Sequence, residues 1–429
     1  TSSLHGLSCE STVMESGINP WSGSQSVDID RLCAEFGIAP VEEEVTTLKS
    51  QPSFFRRKIV VGHRDYGPIV DAINAGSRFN VMTGFMPSGH PHLGHLMVMR
   101  EVVWHVEQGG SGYIAIADRE AHAVRGLSWD ACKRYGREYL ECLYALGFEG
   151  TTYYQSENEQ LKDLAFEAAM KINFSDLQAI YGFSPETALA HADSVATQVA
   201  DILYPQLVEG PAPTVVPVGI DQDPHIRLTR DIAHKMRWFT VLDQGNIISV
   251  RSKNAPVHAM DAIARAFPGS KRYEGHVDIP GADCLSVSEK VRAIEVAEGG
   301  YGFITPSSTY HSFMQGLQGG KMSSSVPDSL FWFDESEADV KRKVMGALTG
   351  GRMTKEEQVR LGGEPDGCPV YLLNLFHMVS DDEELLDIRR QCLSGSLLCG
   401  ACKKATFERV KEFQKDFKEK RDAVSHMVV

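Results

Sequence analysis

The chain has 429 residues, 42% hydrophobic and 23% charged, with a formal net charge of −14. Such a length allows two or three domains and a large core, while the acidic balance excludes a diffuse basic surface, so an RNA partner would need local basic patches. No run approaches the roughly 18 apolar residues of a membrane span, and the start at Thr1 has neither a basic region nor an apolar core, so no secretory signal and a cytoplasmic location are expected.

In chain order, residues 1–28 are polar and Gly/Ser-bearing, and residues 29–75 read as short lead-in helices. Residues 79–84 form an apolar strand, Pro87, Ser88 and Gly89 a turn, and residues 93 to 106 a helix. His92 and His95 are three apart and are expected to share one face at the start of that helix, where unpaired N–H groups suit phosphate. Gly94 between them would let a ligand approach the backbone with no Cβ in the way. Residues 112–117 and 151–154 read as further strands between helical stretches, the pattern of a parallel α/β sheet. Residues 214–218 add an apolar strand in which Val216 and Val218 alternate with Pro217. It ends at Gly219 and a polar turn carrying Asp221 and Gln222, the place where open α/β sheets bind ligands. Residues 237–300 read as an insertion with no assigned role. Residues 301–335 return to the sheet and carry the loop Gly319-Gly320-Lys321-Met322-Ser323-Ser324-Ser325, and residues 336–429 read as helices.

Two of these motifs gain meaning together. His92-Leu93-Gly94-His95 supplies two imidazoles that can donate to an α-phosphate as it becomes five-coordinate. The Gly-hinged loop supplies Lys321, a mobile point charge for a leaving pyrophosphate, with Ser323 and Ser324 as further donors. In this order, one after a strand and the other on a loop, they point to adenylate formation.

With these motifs the chain resembles the class I aminoacyl-tRNA synthetases. Gly219-Ile-Asp-Gln-Asp-Pro-His-Ile-Arg-Leu-Thr-Arg-Asp231 and Val195-Ala-Thr-Gln-Val-Ala-Asp-Ile-Leu-Tyr-Pro-Gln206 narrow the resemblance to tryptophanyl-tRNA synthetases. Asn19-Pro-Trp21, Ile29-Asp-Arg-Leu32 and the run from Phe55 to Asp65 resemble the archaeal and eukaryotic branch. The resemblance covers roughly residues 19–235 and 301–421. It implies a Rossmann-type parallel-sheet catalytic domain (76–335) after an N-terminal extension (1–75), then an α-helical anticodon-binding domain (336–429). It also implies ATP with Mg²⁺, L-tryptophan, tRNA(Trp) and a homodimer.

Carried over residue by residue, the resemblance gives Gln222 the substrate's α-amino group and places Gln198 in the pocket with Thr83, Val216 and Val218. Asp201 matches the bacterial acceptor of the indole N–H and Glu120 the eukaryal one; both are present, and the sequence leaves the choice open. Gly84, Ser88, His92, Gly94, His95, Gly219, Asp221, Lys321, Met322, Ser323 and Ser324 fall to the nucleotide. The chain departs from the pattern at Met82, usually aromatic, and at Ser194, opposite a bacterial tyrosine. The alternatives are a tyrosyl-tRNA synthetase, which shares fold and signatures, and a non-catalytic synthetase-like RNA-binding regulator.

Four of the nine cysteines, Cys368, Cys392, Cys399 and Cys402, fall near the C-terminus with one tight C-x-x-C pair. They are a full ligand set for a [4Fe–4S] cluster or for zinc, the alternative being four reduced cysteines buried in helices. A single tight knuckle tilts the reading to iron–sulfur, and some tryptophanyl-tRNA synthetases carry such a cluster at nearly this spacing. The basic run that follows (Lys403, Lys404, Arg409, Lys411, Lys415, Lys418, Lys420 and Arg421) is a candidate RNA patch or the solvated face of an amphipathic helix built on Phe407, Val410, Phe413 and Phe417.

Overall fold

The structure is a computed structural model that describes residues 37–320, 322 and 326–428. The expectations on residues 1–36, with the stretches at 19–32, and on Lys321, Ser323 and Ser324 lie outside the described residues. Among those described, no helix is long and apolar enough to cross a membrane.

The main sheet takes its strands from far apart in the chain: β1 (Ala39–Pro40), β2 (Val60–Arg64), β3 (Asn80–Phe85), β4 (Ser111–Ile116), β5 (Gly150–Tyr154), β6 (Thr214–Gly219) and β11 (Ser307–His311). Their order is β1-β2-β11-β6-β3-β4-β5, parallel from β11 to β5, with β2 antiparallel to β11 and β1 antiparallel to β2. β3 is buried along its length except at Gly84, as expected of a strand covered on both faces. Strand order reverses between β3 and β6, and the pair is joined only at Asn80↔Thr214 and Val81↔Val215. Beyond that point the strands part towards their carboxyl ends, where Pro217 brings no N–H to the ladder. A crevice at such a reversal is where this class of sheet takes its ligands.

The helices that frame the crevice are α1 (Leu93–Glu107), α2 (Asp118–Arg125), α3 (Leu189–Glu209) and α4 (Asp223–Met236). Residues 237–300, for which the sequence offered no role, fold into a second sheet of antiparallel strands β7 (Phe239–Asp243), β8 (Ile247–Ser252), β9 (Lys271–Arg272) and β10 (His276–Pro280), in the order β7-β8-β10-β9. Helices α5 (Val257–Ala266) and α6 (Cys284–Ala297) belong to the same unit. Phe239, Val250, Met260, Ile263, Val277 and Val287 give it a core of its own.

The C-terminal part contains α7 (Glu337–Gly346), α8 (Asp382–Leu393) and α9 (Cys399–Val424). Val340, Leu373, Phe407, Val410 and Phe417 share one buried cluster with Val81, Leu96 and Met99, so these helices pack directly on the sheet layer. Most of the basic run on α9 is engaged within the protein. Arg409 pairs with Glu384, Lys411 with Glu408, Lys420 with Asp416 and Arg421 with Glu141 and Asp334, while Lys403 donates to the Met345 carbonyl. Of that run, Lys404, Lys415 and Lys418 are exposed and pair with no group among the described residues.

One buried ionic clamp fixes the end of β6. Asp223, fully buried at the start of α4, receives Nε and Nη2 of Arg64 from β2 at 2.7 and 3.0 Å, and the Tyr310 hydroxyl from β11 at 2.5 Å. Removing one partner of a buried pair strands the other charge, at about 3–5 kcal/mol. Asp223→Ala should therefore lower the urea-unfolding free energy by that amount, whereas a loss below about 1 kcal/mol would show that the clamp does not hold the turn.

Candidate active site

The turn after β3 delivers His92 as the N-cap of α1, with extended backbone at φ −139° and ψ 176°. His92 therefore precedes the helix and does not share a helical face with His95, contrary to expectation. The two are coupled by reciprocal capping: the Gly94 N–H donates to Nδ1 of His92 at 3.0 Å, and the His92 N–H donates to Nδ1 of His95 at 3.2 Å. Their ring centroids are 4.1 Å apart. Burial pushes the His92 ring down to about 4; burial first, and then His92, holds His95 well below the ordinary imidazole value. Both rings are thus neutral near pH 7, with Nδ1 accepting and the remaining proton on Nε2. His95 Nε2 lies 3.2 Å from the Tyr139 hydroxyl. A Cβ on Gly94 would sit 2.8 Å from Cε1 of His92, so the glycine's first service is to admit the capping ring.

These groups open into a cavity of about 710 Å³ at the β3/β6 crevice. Its lining gathers Thr83, Gly84, His92, Gly94, His95, Glu120, Gln198, Asp201, Val216, Val218, Gly219, Asp221, Gln222 and Met322, nearly the whole expected set. Ser88 is exposed on the turn and does not line it. Lys321, Ser323 and Ser324 are outside the described residues, but Met322 between them is buried, its sulfur 3.8 Å from where a Gly94 Cβ would stand. Gly319 and Gly320 just before it adopt φ 82° and 68°, the left-handed backbone that glycine permits.

Two buried carboxylates mark the far end. Asp201 is doubly engaged: the Tyr153 hydroxyl donates to Oδ1 at 2.9 Å and the Gln155 amide to Oδ2 at 2.6 Å. Among the described residues, Glu120 receives the Gln198 amide alone, at 2.8 Å on Oε2. Burial raises both to about 7. Tyr153, Gln155, His311, Phe376 and His377 went unnoticed in the sequence. Only Tyr153 carried a signal, its place in a predicted strand; the others reach the site through long-range packing.

The four C-terminal cysteines border one small cavity with Val370, Tyr371, Ile388 and Leu397. Two glycines leave room for their sulfurs: a Cβ on Gly351 would meet Cys399 Sγ at 2.5 Å, and one on Gly363 would meet Cys392 Sγ at 2.8 Å. Among the described residues, no group of three or more His, Cys, Asp or Glu is spaced to hold a single metal ion.

The sequence model of the family described as "tRNA synthetases class I (W and Y)" matches residues 74–256 and 286–415, leaving out part of the inserted unit. The chain is 50% identical over 422 residues to the tryptophan--tRNA ligase of Methanosarcina acetivorans, covering 95% of this chain and 97% of that one. It is 46% identical over 411 residues to the tryptophan--tRNA ligase of Archaeoglobus fulgidus, with the same coverage. The crystal structure of tryptophanyl-tRNA synthetase from Aeropyrum pernix aligns at a TM-score of 0.75 and 32% identity, covering 96% of this chain and 97% of that one. On its fold, its two joined motifs and these likenesses, the chain belongs to the class I tRNA synthetases of the tryptophan and tyrosine family.

Proposed function

We propose that the chain ligates L-tryptophan to tRNA(Trp) through a tryptophanyl-adenylate. The observation that carries this is the single cavity joining two Nε2–H imidazoles and the Met322 loop to a pocket that ends in buried carboxylates. A carboxylate oxygen of tryptophan attacks the α-phosphorus of ATP, and the bond to the pyrophosphate oxygen breaks. The terminal 2′-hydroxyl of the tRNA then attacks the acyl carbon, and AMP leaves. The Nε2–H of His92, and that of His95 on leaving the Tyr139 hydroxyl, donate to the α-phosphate as its charge grows, while Lys321, Ser323 and Ser324 close on the pyrophosphate. Mg²⁺ would arrive on the nucleotide's phosphates, as is usual for this ion.

Gln222 at the end of β6 takes the α-amino group. Glu120 takes the indole N–H, because one of its oxygens is uncommitted while both oxygens of Asp201 are engaged. A buried acceptor matched to a lone ring donor discriminates strongly against rings that lack it. Phe166, Met170, Phe174 and Leu189, all exposed large apolar side chains, support a homodimer.

The four cysteines suit a [4Fe–4S] cluster. A single zinc with Zn–S bonds of about 2.3 Å would need the sulfurs about 3.8 Å apart, a spacing the described residues do not offer, whereas a cluster spans more. When bound, the cluster would supply a rigid cross-link; Cys368, Cys392, Cys399 and Cys402 would tie the starts of α9 and of the segment after Cys368 to the end of α8.

Purified protein should exchange pyrophosphate into ATP with tryptophan and not with tyrosine; faster exchange with tyrosine would sink the assignment. His95→Ala or Lys321→Ala should slow that exchange by about 10²–10³. Because indole binding favours the ionised Glu120 carboxyl, which titrates at about 7, tryptophan should bind more tightly as pH rises from 6 to 8. Glu120→Gln should lose most of that dependence, and an unchanged slope would move the acceptor to Asp201. Anaerobically purified protein should carry iron and sulfide near four per chain; one zinc per chain, or no metal, would contradict the cluster.

A further inference from the structure

The neck of the inserted unit gathers positive charge that no carboxylate of the fold neutralises. α4 starts at the crevice and, at 14 residues, ends about 20 Å from its first turn. There the chain enters the unit at Arg237. Glu295 of α6 closes the neck: its Oε1 receives the N–H of Trp238 at 2.9 Å and that of Gly302 at 3.0 Å. Lys253, just past β8, donates its own N–H to the Trp238 carbonyl at 2.8 Å.

Three cations meet at this neck. Arg237 donates through Nη2 to Nδ1 of His234 at 2.7 Å, and Nζ of Lys253 donates to the His234 carbonyl. Arg292 comes from α6, one turn before Glu295. All three are partly buried, and none pairs with a carboxylate among the described residues. Burial, and then Arg292, holds the Arg237 guanidinium below its ordinary value; burial, and then Arg237, does the same to Lys253, so the charges are close enough to repel. The acids within reach leave them unneutralised. Glu295 is 1% exposed and spent on backbone N–H groups, while Glu289 is exposed on α6 and makes no pair with Arg292. The last carbonyls of α4 attract cations, which accounts for Lys253 and Arg237. They do not account for Arg292, which reaches the neck from another helix and meets no carbonyl or carboxylate among the described residues. In a chain of net charge −14, three adjoining cations without a counter-ion mark a place for an external anion.

We propose that Arg237, Lys253 and Arg292 form a binding site for a phosphate group at the neck of the inserted unit. Guanidinium groups offer paired donors that match phosphate oxygens, and a lysine adds a point charge. A free phosphate anion and a phosphodiester of RNA present the same oxygens to these donors. The site stands at the opposite end of α4 from the crevice, apart from the groups that would hold a nucleotide, and the inference does not rest on the proposed reaction. It gives the inserted unit, for which the sequence offered no role, a ligand of stated chemistry.

The test is calorimetric titration of the full chain with inorganic phosphate, together with filter binding of tRNA(Trp) at fixed ionic strength. The proteins compared are the parent, Arg292→Ala, Arg292→Gln and Arg265→Ala. Arg265 is exposed on α5, so its loss takes a charge from the same unit and spares the neck. Both Arg292 variants should weaken at least one of the two ligands about tenfold, the worth of one charge-assisted hydrogen bond. A loss for tRNA identifies the phosphate as that of RNA, and a loss for inorganic phosphate alone identifies a free anion. Losses below about threefold for both ligands, or equal losses in Arg265→Ala, would overturn the site. Pyrophosphate exchange with tryptophan should stay at the parent's level in every variant. Because removing Arg292 relieves its repulsion with Arg237, both variants should unfold in urea no earlier than the parent when phosphate is absent. If both unfolded earlier, Arg292 would be a structural residue and the assignment would fall.

Discussion

The site depends on one reciprocal hydrogen-bonded cap at the start of α1. Two rings that would otherwise be mobile are each tied through Nδ1 to a backbone N–H, His92 to Gly94 and His95 to His92. That single arrangement starts the helix, places the rings 4.1 Å apart and settles which nitrogen faces the ligand. A helix start with unpaired N–H groups already suits phosphate; the cap fixes both Nε2–H groups beside it, that of His95 against the Tyr139 hydroxyl. Neutrality matters as much as position, because two imidazolium rings this close would repel each other. A group that donates without losing a proton stabilises a developing charge with no reorganisation at the moment of reaction.

The rest of the fold holds the remaining groups against that fixed point. The parting of β3 from β6 opens the crevice, and Thr83 spans it by donating to the Pro217 carbonyl at 3.2 Å. The Arg64–Asp223–Tyr310 clamp ties α4 to β2 and β11, fixing the turn that carries Asp221 and Gln222. Met322 lines the cavity, as do Phe376 and His377 from the π-helical turn Asn374–Met378. The cavity changes character along its length. Its lining combines neutral donors for phosphate, apolar walls and two carboxylates whose burial brings them to about 7.

Much of this was legible in the sequence because function forces rare residue types into short motifs. The strand-turn-helix at 79–106 and the polar turn after β6 follow from local pattern and chemistry. What stayed hidden depends on contacts between distant segments. Spacing placed both histidines on the helix, because it could not show that His92 adopts extended backbone and caps α1 with its own ring. Glu120 and Asp201 read alike until Tyr153 and Gln155 were seen to engage Asp201. The basic run on α9 read as an RNA patch or a solvated face, and its ion pairs with Glu384, Glu408, Asp416 and Glu141 favour the latter for most of its length. The second sheet at 239–280 is an ordinary antiparallel unit whose short strands lacked a period strong enough to stand out.

The most direct test of the cap is the protonation state of the two rings. Protein labelled with ¹⁵N-histidine and observed by long-range ¹H–¹⁵N correlation reports which nitrogen carries the proton. The structure requires His92 and His95 to be neutral Nε2–H tautomers at about pH 7, with no titration of His92 until the pH nears about 4. An imidazolium, or a proton on Nδ1 of either ring, at neutral pH would contradict the account.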